Sequence, residues 1–314
     1  MKFNKNIFLL FTLIIVGCGE AEQQNTQATE TTDPKPVGMV VTANPLATEA
    51  GLEILRAGGS AMDAAVAVEA TLSLVEPQSS GLGGGGFMVH YDADTKMVEY
   101  YNGREKAPMG ATKELFFDAD GNKLSSKQAK NSGLSIGAPG AVAVLNLAHK
   151  DHGKLAWKEL FAPAMRHSVD GFAVSPRMHS SIIAYQDNFY KNIEDGPTEL
   201  YNYLHLEDGT PLPAGHILKN PAYAKSLEVV ANNADDFYRG ELAEAIAAAA
   251  QQMPRQRVHV RQVMIAQHRA QRGVHPPCPA FGQHLPGACF QQVEQDPACR
   301  ARPYRRWRRH GHQA

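Results

Sequence analysis

The amino-acid usage of this chain changes abruptly near residue 253. Residues 1–252 contain 15 lysines and 5 arginines, whereas residues 253–314 contain 11 arginines and no lysine. The same tail holds six of the 13 histidines, three of the four cysteines and only two acidic residues, Glu294 and Asp296. One protein rarely changes its preferred cation so sharply, so only the part before the break is expected to share a core.

The net charge of −1 conceals two parts of opposite sign. Residues 1–252 carry 20 cations and 30 anions, hence −10, and the tail carries 11 and 2, hence +9. An acidic front has no nucleic-acid character, so we expect no nucleic-acid partner. The basic tail could bind acidic polymers, but it has no periodic pattern. We expect residues 253–314 to be an unstructured, aberrant tail.

The amino terminus is typical of a bacterial lipoprotein signal peptide, residues 1–18. Two lysines precede an apolar run, residues 7–16, that is too short for a stable transmembrane helix. The lipobox-like end predicts that Cys18 is lipidated, although an ordinary signal peptide with an incidental cysteine is the alternative. Residues 19–38 are polar and form a disordered linker. We expect an exported protein, lipid-anchored to a bacterial cell membrane or outer membrane on its extracytoplasmic or periplasmic side.

Residues 39–252 carry the patterns of a folded α+β domain. Asn44 and Ser60 are predicted helix N-caps, the first followed by Pro45 and the second paired with Asp63 in a capping box. The predicted elements are a strand at 39–42, helices at 45–57 and 61–76, hairpin strands at 87–91 and 97–101, and helices at 140–150, 157–169 and 221–232.

Two glycine motifs each allow more than one interpretation. Residues 81–86 match the dinucleotide fingerprint, but a helix precedes them and a strand follows, the reverse of the order that binds a pyrophosphate. Close approach of the backbone to a ligand or another strand fits these glycines better. Residues 133–137 match the G-x-S-x-G nucleophile elbow, but the segment leading in is polar, and a chance match is the alternative.

We predict neither a metal site nor a cofactor. His149 and His152, with Asp151 between them, could be a pair of metal ligands, but no third ligand stands at a recognisable spacing. Histidines near a helix end are more often solvated or favourably placed against the helix dipole. The three cysteines of the tail form no C-x-x-C pair, so they do not indicate zinc.

Arg104 is the candidate ligand-binding residue. It follows the second predicted hairpin strand, and the start of a loop is a usual place for a ligand contact. A guanidinium group binds a carboxylate through two parallel hydrogen bonds, which lysine cannot do. A structural ion pair with Glu105 is the alternative.

Several distinctive stretches resemble the γ-glutamyltransferase family, whose members are also called γ-glutamyltranspeptidases or glutathione hydrolases. They are residues 39–47, 51–65, 76–89, 103–108, 135–142 and 220–240. They occur in family order and together cover about 39–252, the large-subunit part. The resemblance implies an N-terminal-nucleophile hydrolase fold, an αββα sandwich with two sheets between helix layers. It also implies that Arg104 is the family arginine that holds the α-carboxylate of the substrate.

The resemblance implies a mechanism as well. Family members are made as an inactive precursor that cuts itself before a threonine. The threonine hydroxyl attacks the γ-glutamyl amide of a substrate such as glutathione, and the new amino group serves as base. The γ-glutamyl-enzyme then reacts with water or with an amino-acid acceptor.

The family threonine lies beyond the matched region, and residues 253–314 contain no threonine. We therefore expect that the chain has no catalytic nucleophile of its own, that a frameshift near codon 253 truncated it, and that activity needs the missing small subunit. Two other interpretations remain: a lipid-anchored, non-catalytic protein that binds γ-glutamyl compounds or carboxylates, and a fragment of a related amide acylase.

Overall fold

The computed structural model describes residues 38–108, 110–130, 132–189, 199–252 and 271–275. The signal peptide, almost all of the linker and most of the tail lie outside these ranges. The described α-helices are α1 (Pro45–Arg56), α2 (Ala61–Val75), α3 (Ser126–Lys130), α4 (Ala141–His152), α5 (Ala162–Asp170), α6 (Pro176–Phe189), α7 (Glu199–Leu204), α8 (Pro221–Asn232) and α9 (Glu241–Gln252). The described strands are β1 (Gly86–Tyr91), β2 (Val98–Gly103), β3 (Phe172–Ala173), β4 (Ile217–Leu218) and β5 (Gln271–His275). None of the described helices combines the length and the apolar character that crossing a bilayer requires.

The predicted caps of the first two helices are confirmed. The side chain of Asn44 accepts a hydrogen bond from the backbone N–H of Leu46, and Pro45 begins α1. Ser60 and Asp63 form a reciprocal capping box at the start of α2. These side chains satisfy backbone donors that a helix start leaves without partners.

The main core lies where α1, α2, α4, α5 and α8 meet. Its fully buried members include Val66, Val142, Leu160, Phe161 and Leu227. Because α2 is apolar on nearly all sides, it packs against several of these helices at once. The predicted helix at 221–232 is observed with the same bounds.

The predicted helix at 157–169 is divided into two elements. A 3₁₀ helix spans Trp157–Phe161, and α5 begins at Ala162 with Pro163 in its first turn. Proline lacks an N–H donor and its ring collides with the preceding turn inside a helix, but it is tolerated at a helix start. The predicted helix is therefore interrupted just before this proline.

The predicted strand at 39–42 is wrong. These residues form no strand, and none of the described strands pairs with them. Met39 and Val41 are exposed at 87% and 83%. A short apolar run becomes a strand only when a neighbouring strand supplies its hydrogen bonds.

The predicted hairpin is confirmed. Strands β1 and β2 pair antiparallel, with Gly86 opposite Gly103 and Tyr91 opposite Val98. Strand β5 of the tail pairs with the other edge of β2, so the sheet order is β1-β2-β5. At these five residues the structure differs from the expected unstructured tail. The unpaired N–H and C=O groups of an edge strand offer hydrogen bonds to any extended segment, which explains the difference.

The two faces of this sheet have different environments. On the inner face, Tyr101 is fully buried and packs with Met62 of α2 and Val144 of α4. On the outer face, Phe87 and Val89 are exposed at 70% and 71%. A row of exposed apolar side chains on a sheet marks an interaction surface. The described residues thus form a helix layer and a sheet whose second face is not covered by them.

Candidate functional site

The glycine-rich loop, residues 81–86, connects α2 to β1. The helix precedes the glycines and the strand follows them, as predicted, so the loop lacks the order of a dinucleotide fingerprint. The carbonyl oxygen of Gly84 accepts hydrogen bonds from the backbone N–H groups of Gly140 and Ala141, at 2.8 and 3.1 Å. The loop is therefore fixed to the amino-terminal end of α4.

The loop also touches the segment that carries Arg104. A Cβ atom at Gly85 would lie 2.2 Å from the carbonyl oxygen of Gly103 and 3.1 Å from the backbone nitrogen of Glu105. A real Cβ does not approach backbone atoms that closely, so only glycine fits here. The predicted close approach of backbone to backbone is confirmed at this position.

A Gly85→Ala substitution is expected to lower the free energy of unfolding by about 1–3 kcal/mol, because the backbone around Gly103 must shift. Gly83→Ala is the matched control, since a Cβ there has nothing within 4 Å, and its effect should stay within about 0.5 kcal/mol. Urea unfolding of both variants measures the difference. Equal losses in the two variants would show that the close approach has no energetic weight.

Arg104 stands directly after β2. Its backbone N–H donates to Oδ1 of Asn102 at 3.0 Å, which shapes the turn out of the strand. Its guanidinium lies 2.9 Å from Oε2 of Glu105, and its side chain remains 55% exposed. The ion pair considered from the sequence is thus formed. A pair so open to water stabilises the fold by about 1 kcal/mol or less, so another carboxylate could compete with Glu105 for the same guanidinium.

The segment around Arg104 is held from its other side by residues 137–141. Lys106 and Ala138 form a β-bridge with hydrogen bonds of 3.3 and 2.8 Å. A Cβ at Gly137 would lie 2.9 Å from Cβ of Glu105. Three backbone segments therefore converge here: the glycine-rich loop, the exit of β2 and the approach to α4.

A buried carboxylate anchors the entrance of the glycine-rich loop. Glu76 is only 1% exposed. It accepts hydrogen bonds from Nδ2 of Asn44 at 3.1 Å and from Nε2 of Gln78 at 2.6 Å, and it pairs with Arg177 of α6. Arg177 also donates to Oγ of Ser79 at 2.8 Å. This network ties the glycine-rich loop to α1 and α6. The sequence analysis did not identify Glu76 as a candidate site residue.

A second carboxyl group lies against the start of the same loop. Burial raises the pKa of Glu69 on α2, and a hydrogen bond from the backbone of Gly81 opposes that shift in part. Helix α2 thus contributes a polar contact to the first glycine of the loop.

The G-x-S-x-G motif does not form a nucleophile elbow. Ser135 ends a 3₁₀ helix, Gly133–Ser135, that follows the polar helix α3. Its exposed hydroxyl donates to the carbonyl oxygens of Lys130 and Ser132, at 3.1 and 2.9 Å. No buried strand leads into the motif within the described chain, so the chance match is the better explanation.

His149 and His152 do not act as a pair. Nε2 of His149 lies 3.0 Å from the carbonyl oxygen of Leu155 and 3.5 Å from Oδ1 of Asp63. Nε2 of His152 instead lies 2.8 Å from the hydroxyl of Tyr101. The two imidazoles therefore face different partners, and the metal pair considered from the sequence is not formed.

His152 groups instead with two residues that the sequence reasoning did not single out, His90 of β1 and Glu99 of β2. The only signal that could have found them is the hairpin register, which places His90 directly opposite Glu99. Cys18, the predicted lipidation site, lies outside the described residues.

Comparison with known proteins places these observations in a family. The family model described as Gamma-glutamyltranspeptidase matches residues 47–260, and the predicted boundary at 252 lies inside this match. The glutathione hydrolase proenzyme of Bacillus subtilis (strain 168) is 34% identical over 215 residues, covering 68% of this chain and 35% of the relative. The glutathione hydrolase proenzyme of Escherichia coli (strain K12) is 37% identical over 213 residues, covering 67% and 35%. The chain thus spans about a third of the length of these curated relatives.

A solved structure agrees with this assignment. The gamma-glutamyltranspeptidase of Helicobacter pylori superimposes with a TM-score of 0.67 at 28% identity, covering 76% of this chain and 66% of that one. The α+β fold class predicted from the sequence and the resemblance that suggested it are both confirmed.

Proposed function

Because this chain belongs to the gamma-glutamyltranspeptidase family, we propose that residues 39–252 are the large-subunit part of an enzyme that cleaves γ-glutamyl amides such as glutathione. The γ-glutamyl group would pass through a covalent enzyme intermediate to water or to an amino acid. The observation that carries this proposal is the placement of Arg104 at the exit of β2, braced by the glycine-rich loop.

Arg104 is proposed to bind the α-carboxylate of the γ-glutamyl group. A planar guanidinium can hold both carboxylate oxygens, which fixes the orientation of the substrate as well as its position. The 55% exposure of this side chain leaves it accessible to a ligand. The close packing of Gly85 against Gly103 keeps the strand exit in place, so the guanidinium projects from a firm support.

The attacking hydroxyl is proposed to come from a second, threonine-bearing part, the small subunit. The exposed apolar face of the β1-β2-β5 sheet supports this proposal, because Phe87 and Val89 would be covered by a second layer. The αββα sandwich implied by the resemblance has such a layer.

We also propose that the protein acts outside the cytoplasm and is anchored through lipid on Cys18. The support is the sequence pattern at residues 1–18, and incorporation of a labelled fatty acid would check it.

The role of Arg104 is tested by titrating the full chain with glutathione in a calorimeter. Arg104→Ala is expected to weaken binding by about 10- to 150-fold, the equivalent of a hydrogen-bonded charge contact of 1.5–3 kcal/mol. Arg104→Lys should recover only part of the affinity, because the ammonium lacks the fork.

Arg166→Ala is the matched control, since Arg166 is a similarly exposed arginine that pairs with Glu53 at 2.6 Å. Its affinity for glutathione should equal that of the wild type. Unchanged affinity in Arg104→Ala, or no binding by the wild type, would contradict the proposed carboxylate contact.

A further inference from the structure

We propose that His90, Glu99 and His152 form a binding site for a divalent transition metal of the zinc type. The three residues come from three elements: β1, β2 and the last position of α4. Each offers one ligand atom, and the three atoms lie within 4.8 Å of one another. The cluster is therefore assembled by the hairpin register and by the packing of α4 on the sheet.

The distances suit a common metal ion. Nδ1 of His90 lies 3.7 Å from Oε2 of Glu99, and Nε2 of His152 contacts the same oxygen. Zinc binds imidazole nitrogen and carboxylate oxygen at about 2.0–2.2 Å, which places tetrahedral ligands about 3.3 Å apart. Only small side-chain adjustments would bring all three atoms to that separation.

The donor set selects the class of metal. Two imidazole nitrogens and one carboxylate oxygen suit zinc and its neighbours, whereas magnesium and calcium prefer oxygen ligands alone. Three protein ligands leave a fourth position for water or another group. The side chains of His90 and His152 are 19% and 17% exposed, so an ion can reach them.

A hydrogen-bonded cluster without metal explains these contacts less completely. The rings of His90 and His152 stack with centroids 3.9 Å apart. His152 and Glu99 satisfy each other, but Nδ1 of His90 is buried and has no hydrogen-bond partner among the described residues. Leaving such a polar atom unpaired is costly. A metal ion shared with Glu99 would satisfy it.

The neighbouring polar residues fit a support role. The hydroxyl of Tyr101 lies 3.3 Å from Oε2 of Glu99, 3.0 Å from Oδ2 of Asp151 and 2.8 Å from Nε2 of His152, and its one proton is shared among these neighbours. Metal-binding carboxylates are usually held by hydrogen bonds of this kind.

The site is separate from the proposed carboxylate contact. Glu99 lies near the start of β2 and Arg104 follows directly after its end, about 16 Å away along an extended chain. A metal here would join the hairpin to the end of α4, so its expected effect is on stability.

The test uses the full chain after chelator treatment and dialysis. Zinc at 100 times its Kd is expected to raise the Tm by about 5 °C or more, while magnesium should leave it unchanged. Cobalt should produce a visible absorption band from a tetrahedral site. His90→Ala and Glu99→Gln are expected to remove the Tm shift and to bind one metal ion fewer than the wild type.

His167→Ala is the control, a partly buried histidine of α5 outside the cluster, and it should respond to zinc as the wild type does. The tail contains six histidines and three cysteines, so zinc bound there would be present in the wild type and in every variant alike. The difference in bound zinc per chain between wild type and variant therefore reports the proposed site alone. His90→Cys retains a zinc ligand and should restore the shift.

Two results would overturn the proposal. One is an equal stoichiometry and an equal Tm shift in wild type and in folded His90→Ala. The other is a wild-type chain whose Tm does not respond to zinc, a result that remains decisive if the variants fail to fold.

Discussion

The purified chain is expected to release no glutamate from glutathione above the uncatalysed rate. Enzymes of ordinary efficiency accelerate their reactions by about 10⁶-fold or more, and in this family the resemblance assigns the attack to a threonine hydroxyl. The chain spans about a third of its curated relatives, and residues 253–314 contain no threonine. A carboxylate contact at Arg104 can bind and orient a substrate, but it cannot supply the nucleophile.

The measurement is glutamate release from glutathione by the chain alone, with a complete family member as the positive control. The frameshift near codon 253 stays a prediction from the sequence, and resequencing the DNA there tests it. If the frame is shifted, restoring it should give a longer precursor that divides in two and turns over. Glutamate production by the chain alone would refute the proposal that the nucleophile comes from a separate small subunit. An intact frame, with tail peptides detected by mass spectrometry, would refute the predicted frameshift.

Asp63→Ala is expected to lower the free energy of unfolding by about 3–5 kcal/mol. Asp63 is fully buried. Its Oδ2 atom accepts hydrogen bonds from the backbone N–H groups of Ser60, Lys154 and Leu155, at 2.8, 2.9 and 3.2 Å. Removing the carboxylate leaves these donors without their shared acceptor and separates α2 from the segment after α4.

Ser60→Ala is the matched control, because it removes the other half of the same capping box. Loss of an N-cap side chain alone lowers the free energy of unfolding by about 1 kcal/mol. Urea unfolding should therefore show a much smaller loss for Ser60→Ala than for Asp63→Ala. Similar losses would mean that Asp63 acts only as a capping residue and that its contacts with Lys154 and Leu155 contribute little.

Local signals predicted the starts of α1 and α2 well, but α3, α6, α7 and α9 were not predicted. Asn44 and Ser60 mark helix starts because capping depends on residues within a few positions of each other. The errors arose where the outcome depends on distant partners. Residues 39–42 have the composition of a strand, but no described neighbour pairs with them. The helix predicted over 157–169 is divided in the structure, because Pro163 is tolerated in the first turn of a helix but not in its interior.

The candidate site residues likewise divide into those that local sequence identifies and those that depend on distant partners. Arg104 and the glycine-rich loop were found because each lies within a continuous, distinctive stretch of sequence. His90, Glu99 and His152 could not be found that way. Their proximity depends on the hairpin register and on the placement of α4, and the two histidines are far apart along the chain.

Strand β5 has a consequence for assembly. The edge of β2 that faces away from β1 binds through backbone N–H and C=O groups rather than through particular side chains. It can therefore pair with any extended segment whose peptide groups align with it. In this chain the occupant is Gln271–His275. Another extended segment that pairs with the same edge must first displace β5. The rate of its binding would then be limited by the dissociation of these five residues from β2.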